Sequence, residues 1–150
     1  IRSQNNIGSA FRTGDAFRVK SIYLCGITAT PPHRDIHKTA LGAENTVEWK
    51  YFENTVDAIN LLKEKGYKIA TVEQADQSTM LQNFTLNTSE KLALVFGNEV
   101  EGVEESIMEM ADYCIEIPQF GTKHSLNITV SMGIVIWHLA SQSLSSYSLT

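Results

Sequence analysis

Basic residues are scarce in the second half of this chain. Residues 76–150 hold two Lys+Arg against nine Asp+Glu, whereas residues 1–75 hold ten against eight, for a net charge of −5. That balance argues against a strong nonspecific nucleic-acid binder, because such binding needs a positive field. Cysteine is nearly absent as well. Cys25 and Cys114 lie far apart in apolar, strand-like segments, with no C-x-x-C and no histidine at ligand spacing, which favours buried free thiols over a disulfide or a metal site. No apolar run reaches membrane-spanning length, since Ile128 to Leu139 is broken by Thr129, Ser131 and His138, and no membrane partner is expected. The first residues, IRSQNNIGSA, lack both the apolar core of a signal peptide and a Met, as expected of a trimmed chain; cytoplasm is the expected location.

What is present fits one soluble domain. At 150 residues, with 43% hydrophobic and 19% charged, the chain has the modal size of a domain that can bury its own core. Short apolar runs at SIYLCGI, YKIATV, LALVFG and YCIEI read as buried strands. Helical patterns lie between them. Asn54 or Thr55 can cap a helix whose Val56, Ile59 and Leu62 share a face and which Gly66 ends, and Glu104 to Ala111 reads as another with Ile107, Met108 and Ala111 inward. Alternation of this kind implies an α/β fold, a parallel sheet with helices on both faces. The stretch from Thr28 to Asn45 reads as a long functional loop. The domain is expected to cover residues 1–140, and the serine-rich residues 141–150 are expected to fray.

The basic excess is concentrated at the front. Within the first 38 residues Arg2, Arg12, Arg18, Lys20, Arg34 and Lys38 face only Asp15 and Asp35, a patch that suits a phosphate backbone or a solvated face. His33 and His37 are four apart but follow Pro31-Pro32 in the expected loop without a carboxylate at motif spacing, so no metal is expected. Trp49 and Tyr51 can stack on bases or be buried, and His124 can touch substrate or be a plain loop histidine.

Three segments carry the chemistry, each read as strand, glycine turn and polar residue: NNIGSAFRTGDAF, LALVFGNEVEG, and the run IPQFGTKHSL with Asn127 opening an apparently buried helix. In the first, Gly8 permits close backbone approach four residues before Arg12, whose planar guanidinium can grip a phosphate. The second has the outline of a phosphate loop, but Val103 and Glu104 stand where Lys and Ser or Thr are needed. Glu99, Glu101, Glu104 and Glu105 would repel a triphosphate. Glu101, Glu104 and Glu105 suit the first turn of a helix, whereas Glu99 sits inside the glycine turn. In the third, turns at Pro118 and Gly121 expose backbone groups that can bond an adenine between Ile117 and Leu126, with Ser125 and Asn127 as polar contacts.

In that order the three segments resemble the motifs of the SpoU (TrmH-like) group of SPOUT RNA methyltransferases, and Lys38-Thr39-Ala40-x-Gly42-Ala43 with Trp49 extends the resemblance over nearly the whole chain. The chain departs from the usual pattern at Gln119, where Met is common, and at Ile128 to Ser131, where Val-Ser-Val-Ala is common. The resemblance implies a carboxyl-terminal trefoil knot, a homodimer, and transfer of a methyl from S-adenosylmethionine to a ribose 2'-hydroxyl of structured RNA, above all tRNA, with rRNA also open. S-adenosylhomocysteine would be the product. It assigns catalysis to Arg12, Asn6, Glu99 and Asn127, and the cofactor to Thr71, Gly97, Ile117, Ser125 and Leu126. Arg18, Arg34 and Lys38 become candidate substrate contacts. Arg12 is expected to act electrostatically, in its own or the partner's site, because a guanidinium with a pKa above ~12 does not serve as a base. Two rival readings stand beside this one: a base-nitrogen SPOUT methyltransferase and a noncatalytic RNA- or nucleotide-binding module.

Overall fold

The computed structural model describes residues 1–144. Ser3 starts helix α1 (Gln4–Ala16) by accepting the Asn6 N–H on its hydroxyl oxygen at 3.3 Å, and Ile7, Phe11 and Gly14 then recur on one buried face. The first motif is therefore helical, not a strand and glycine turn. Gly8 lies within α1, and its missing side chain lets a second helix close in.

That helix, α2 (Arg34–Ala40), occupies part of the stretch expected as one loop. The His33 ring caps it, Nδ1 accepting the Asp35 N–H at 3.2 Å, and Ile36 and Ala40, four apart, bury against α1. With only two buried positions in seven residues, α2 leaves little periodicity to read. A 3-10 turn (Ala43–Asn45) follows.

Among the described residues, six strands form two all-parallel sheets. β1 (Ser21–Cys25) pairs with β2 (Glu48–Phe52); β3 (Tyr67–Val72), β4 (Thr79–Met80), β5 (Lys91–Phe96) and β6 (Tyr113–Glu116) form the second, in the order β4-β6-β3-β5. The four apolar runs are β1, β3, β5 and β6. β2 and β4 were not expected, because EWKYF carries charge at alternate positions and β4 has two residues. Helix α3 (Thr55–Glu64) starts after Asn54, and Gly66 follows it at φ +83°, a left-handed conformation that glycine adopts without strain. Val56, however, is exposed, and Ala58 with Ile59 makes the buried face.

Consecutive residues of β3 place the core. Ile69 packs with Ile59 and Ile107 of helix α4 (Glu105–Met110), while Ala70 packs with Ile115 and with Val135 and Leu139 of helix α5 (Ile128–Ser141). Side chains alternate across a strand, so both faces of this sheet are covered by helices, as expected. Two expectations are corrected. α5 is not buried all round, since Val130, Ile134 and Trp137 are exposed, and the two cysteines are half-buried free thiols. Ser141 belongs to α5. The Gln142 side chain bonds the Leu86 N–H and the Phe84 carbonyl, so the start of the serine-rich segment is anchored; residues 145–150 lie outside the described residues. No helix among the described residues is long and apolar enough to cross a membrane.

Candidate active site

A cleft of about 610 Å³ opens at the carboxyl ends of the second sheet, where Val72 ends β3, Phe96 ends β5 and Ile117 follows β6. Open parallel sheets bind ligands at this end. Gly97, Glu99, Ile117, Ser125, Leu126 and Asn127, six of the nine residues expected in catalysis or cofactor binding, line it together, with His124 beside them. Gly97 is obligatory for a backbone reason. A Cβ there would meet the Gly102 carbonyl carbon at 1.9 Å, because Asn98 and Gly102 exchange N–H···O bonds at 3.1 Å that pinch the loop shut. The opposite wall is Asn127, whose Oδ1 accepts from the Thr129 N–H at 2.9 Å and the Thr129 hydroxyl at 2.6 Å to cap α5.

Glu99 joins this cleft to the first helix. Its carboxylate accepts the N–H groups of Arg2 (2.8 Å) and Ser3 (3.1 Å) and the Asn6 side-chain amide (3.0 Å), so an acid from the glycine loop satisfies the exposed donors at the start of α1. Partial burial pushes its carboxyl up, but the bonds from Arg2, Asn6 and Ser3 outweigh that and hold it at about 2. It is ionised throughout the neutral range. Asn6 is thus delivered to the site although it does not line the cleft.

The remaining expected residues lie elsewhere. Thr71 stands behind the cleft: its side chain is fully buried and its hydroxyl donates to the Tyr113 carbonyl at 3.3 Å, so Val72 at the end of β3 and Glu73 just past it line the cleft instead. Arg12 is exposed on α1, six residues or ~9 Å of helix beyond Asn6, and does not line the cleft. It lies one turn after Gly8, whose Cα meets α2 at Ile36, Thr39 and Ala40 in the α1–α2 contact. Lys38 precedes Thr39 at the same contact, Arg34 is one turn earlier on α2, and Arg18 follows α1 at φ 54°; all three are exposed. His37 is on α2, whereas His33 stays in the extended segment before it and caps the helix; His37 pairs with Glu44, and no group of three metal-ligating side chains occurs among the described residues.

Two cleft residues escape a reading by sequence. Glu73 Oε2 accepts the Val103 N–H at 3.0 Å and Oε1 the Gln74 N–H at 2.9 Å, which braces the far end of the glycine loop against β3. Asn98 Oδ1 accepts the N–H groups of Val100 (2.9 Å) and Glu101 (2.8 Å), folding the loop on itself. An acid one residue past a buried strand was the available signal for Glu73. A second groove, of about 800 Å³, lies at the opposite, amino-terminal edge, where Ser21, Glu48, Tyr67 and Lys91 begin β1, β2, β3 and β5.

Comparison with known proteins agrees with the motifs. The family described as the SpoU rRNA methylase family matches residues 1–137. The chain belongs to that family. A Borreliella burgdorferi protein described as an uncharacterized tRNA/rRNA methyltransferase is 32% identical over 142 residues, which cover 95% of this chain and 61% of that protein. The 23S rRNA (guanosine-2'-O-)-methyltransferase RlmB of Neisseria meningitidis serogroup B is 30% identical over 136 residues, covering 91% and 53%. The chain thus spans little more than half the length of these curated relatives. Among solved structures, an AdoMet-bound rRNA methyltransferase from Sinorhizobium meliloti superposes with a TM-score of 0.87 at 24% identity, over 98% of this chain and 54% of that one. The Aquifex aeolicus TrmH/SpoU tRNA modifying enzyme gives 0.85 at 25%, over 97% and 73%.

The fold is therefore that of the SpoU methyltransferases, parallel sheets flanked by helices. Both departures from the usual SpoU pattern fall in the cleft, since Gln119, Ile128 and Ser131 line it. They alter its wall and leave Ser125, Leu126 and Asn127 in place.

Proposed function

We propose that this chain transfers a methyl from S-adenosylmethionine to a ribose 2'-hydroxyl of RNA, most readily tRNA. The observation that carries the reading is the Glu99 clasp, which ties the Asn-x-Gly-x-x-x-Arg helix to a donor-sized cleft at the carboxyl ends of the strands. The cleft fits the cofactor. Its volume lies within the ~300–1,000 Å³ of small-molecule sites, its apolar walls include Val72, Phe96, Ile117 and Leu126, and its acids Glu73, Glu99 and Glu101 suit a cationic sulfonium and repel phosphate. Bound there, the cofactor supplies an electrophilic methyl group. Ile117 and Leu126 would hold the adenine, and Ser125 the polar part. Asn127 spends Oδ1 on α5, which leaves its amide N–H donors for the reacting groups. Thr71 would act from behind, by fixing β3 against β6.

Arg12 would grip the phosphate beside the target ribose and favour negative charge on the 2'-oxygen, while the proton leaves to that phosphate or to water. Arg18, Arg34 and Lys38 would hold the flanking backbone. The work is mostly positioning and charge.

The same reading includes a homodimer, with the carboxyl-terminal knot of the family. Three observations support a second copy: Arg12 lies off its own cleft, residues 121–127 at the cleft are exposed, and Val130, Ile134 and Trp137 form an exposed apolar face on α5. Calorimetric titration with S-adenosylmethionine and S-adenosylhomocysteine is the first test. Micromolar binding, lost in Leu126→Trp, is expected; absence of heat across several temperatures would leave a noncatalytic binding module. Methyl incorporation into tRNA, located on the ribose by nucleoside mass spectrometry, tests the reaction.

A further inference from the structure

The groove at the amino-terminal edge of the strands has no part in the chemistry above, yet its composition is unusual for this chain. Lys20 just before β1, Lys50 on β2, Lys65 just after α3 and Lys91 at the start of β5 all reach it, so a third of the twelve Lys and Arg residues of an acidic protein converge on one cavity of about 800 Å³. Two acids, Glu44 and Glu48, line it as well. Glu44 is already committed to His37, and this partner holds its carboxyl below the usual range. Three aromatic residues line it too: Tyr23, Tyr67 and Trp49, the last half-buried against the core beneath α1. Lys91 sits 5.6 Å from the centre of the Tyr67 ring, and its ammonium also donates to the Lys65 carbonyl at 3.3 Å, so it is held at the rim. Several ammonium groups around aromatic faces are the makings of a site for a single nucleic-acid strand: lysines meet successive phosphates as point charges, and bases stack on rings.

We propose that this groove binds a single-stranded stretch of the RNA substrate, with phosphates on Lys20, Lys50, Lys65 and Lys91 and a base against Trp49. It rests on the RNA methyltransferase reading and adds to it a contact at the far end of the sheets. The acidic cleft then need hold only the cofactor and the target ribose, and the backbone charge of this stretch is met elsewhere.

Trp49 supplies the readout. With Trp137→Phe, it is the remaining tryptophan of the two in the chain. Titration with a short oligouridylate is expected to quench its emission, and salt to reverse the quench. The pair Lys50→Glu and Lys91→Glu should weaken binding by roughly tenfold and reduce the slope of log K against log salt by ~1.4, at ~0.7 per phosphate contact. S-adenosylmethionine affinity should not change in the pair. No quench, or an affinity and salt slope indifferent to the two lysines, overturns the proposal. Methyl transfer alongside lysine-indifferent RNA binding would sink the groove and leave the activity standing. Lysine-dependent quenching in a chain that takes up no S-adenosylmethionine would support the groove and sink the activity.

Discussion

At the scale of single residues, Glu99 and Arg12 divide the work of one motif pair. Glu99 is a brace: it accepts two backbone N–H groups and one amide across more than ninety residues of chain, and these bonds hold its carboxyl at about 2. Its unfolded value is ~4.3. A depressed folded pKa means the contribution to stability is complete above ~4.3 and is lost as pH falls towards about 2. Glu99→Gln should therefore lower stability at pH 6 and narrow the gap between pH 6 and pH 3, as read from urea midpoints. A variant that keeps the wild-type acid dependence would show that the clasp contributes nothing. Arg12 is different, because its side chain is exposed and makes no hydrogen bond or ion pair among the described residues. Arg12→Ala should leave the thermal midpoint and S-adenosylmethionine affinity unchanged while methyl transfer falls by about 10²–10³, the usual loss when one oxyanion-stabilising donor is removed. Single-turnover kinetics at saturating cofactor would measure that step.

Among the elements, the α1–α2 contact shows how far local rules can mislead. Gly→Ala inside a helix ordinarily gains up to ~1 kcal/mol, and Gly8 is inside α1. A Cβ there, however, would lie 2.0 Å from Thr39 Oγ1 and 2.3 Å from the Ile36 carbonyl oxygen, which is backbone and cannot swing aside. Gly8→Ala should destabilise by about 1–3 kcal/mol through the forced separation of α2. Gly14→Ala on the same helix meets the flexible Ile22 Cδ1 at 3.3 Å and Val19 Cβ at an ordinary 3.6 Å, and should be near neutral. Thermal melts of the two variants decide the matter. The same contact explains what could be read in advance. Buried strands such as YKIATV announce themselves because both faces are apolar, and Asn54 and Gly66 mark a helix by its ends. α2 does not, since its cap is a histidine and its partner is a glycine in another helix. Neither does the clasp: nothing local to Asn6 or Glu99 says that they meet, and only motifs taken together placed both at one site. Thr71 illustrates a finer limit, for a one-residue step along β3 separates the core from the cleft.

Across the whole molecule, charge is sorted by location. Acids collect in the cleft at the carboxyl ends, while the basic side chains of α1 and α2 and the four lysines of the amino-terminal groove lie apart from it. A cation is thus favoured where the donor would sit and a polyanion where the RNA would run. Arg12 is the member of the proposed catalytic set that breaks the pattern within one chain, and a second copy would resolve it. If Arg12 of one subunit completes the site of the other, two inactive variants should rescue each other. Co-expressed Arg12→Ala and Leu126→Trp chains would pair at random, half of the dimers would be mixed, and each mixed dimer would hold one intact donor cleft faced by one intact arginine. Methyl transfer should then recover to about a quarter of wild type in a closed two-fold dimer, although each variant alone is inactive. If Arg12 serves its own cleft, every subunit of every dimer carries a defect and the mixture stays silent. The recovered fraction, measured on purified mixed dimers carrying two different tags, should double to about half of wild type, because the two homodimers are then removed.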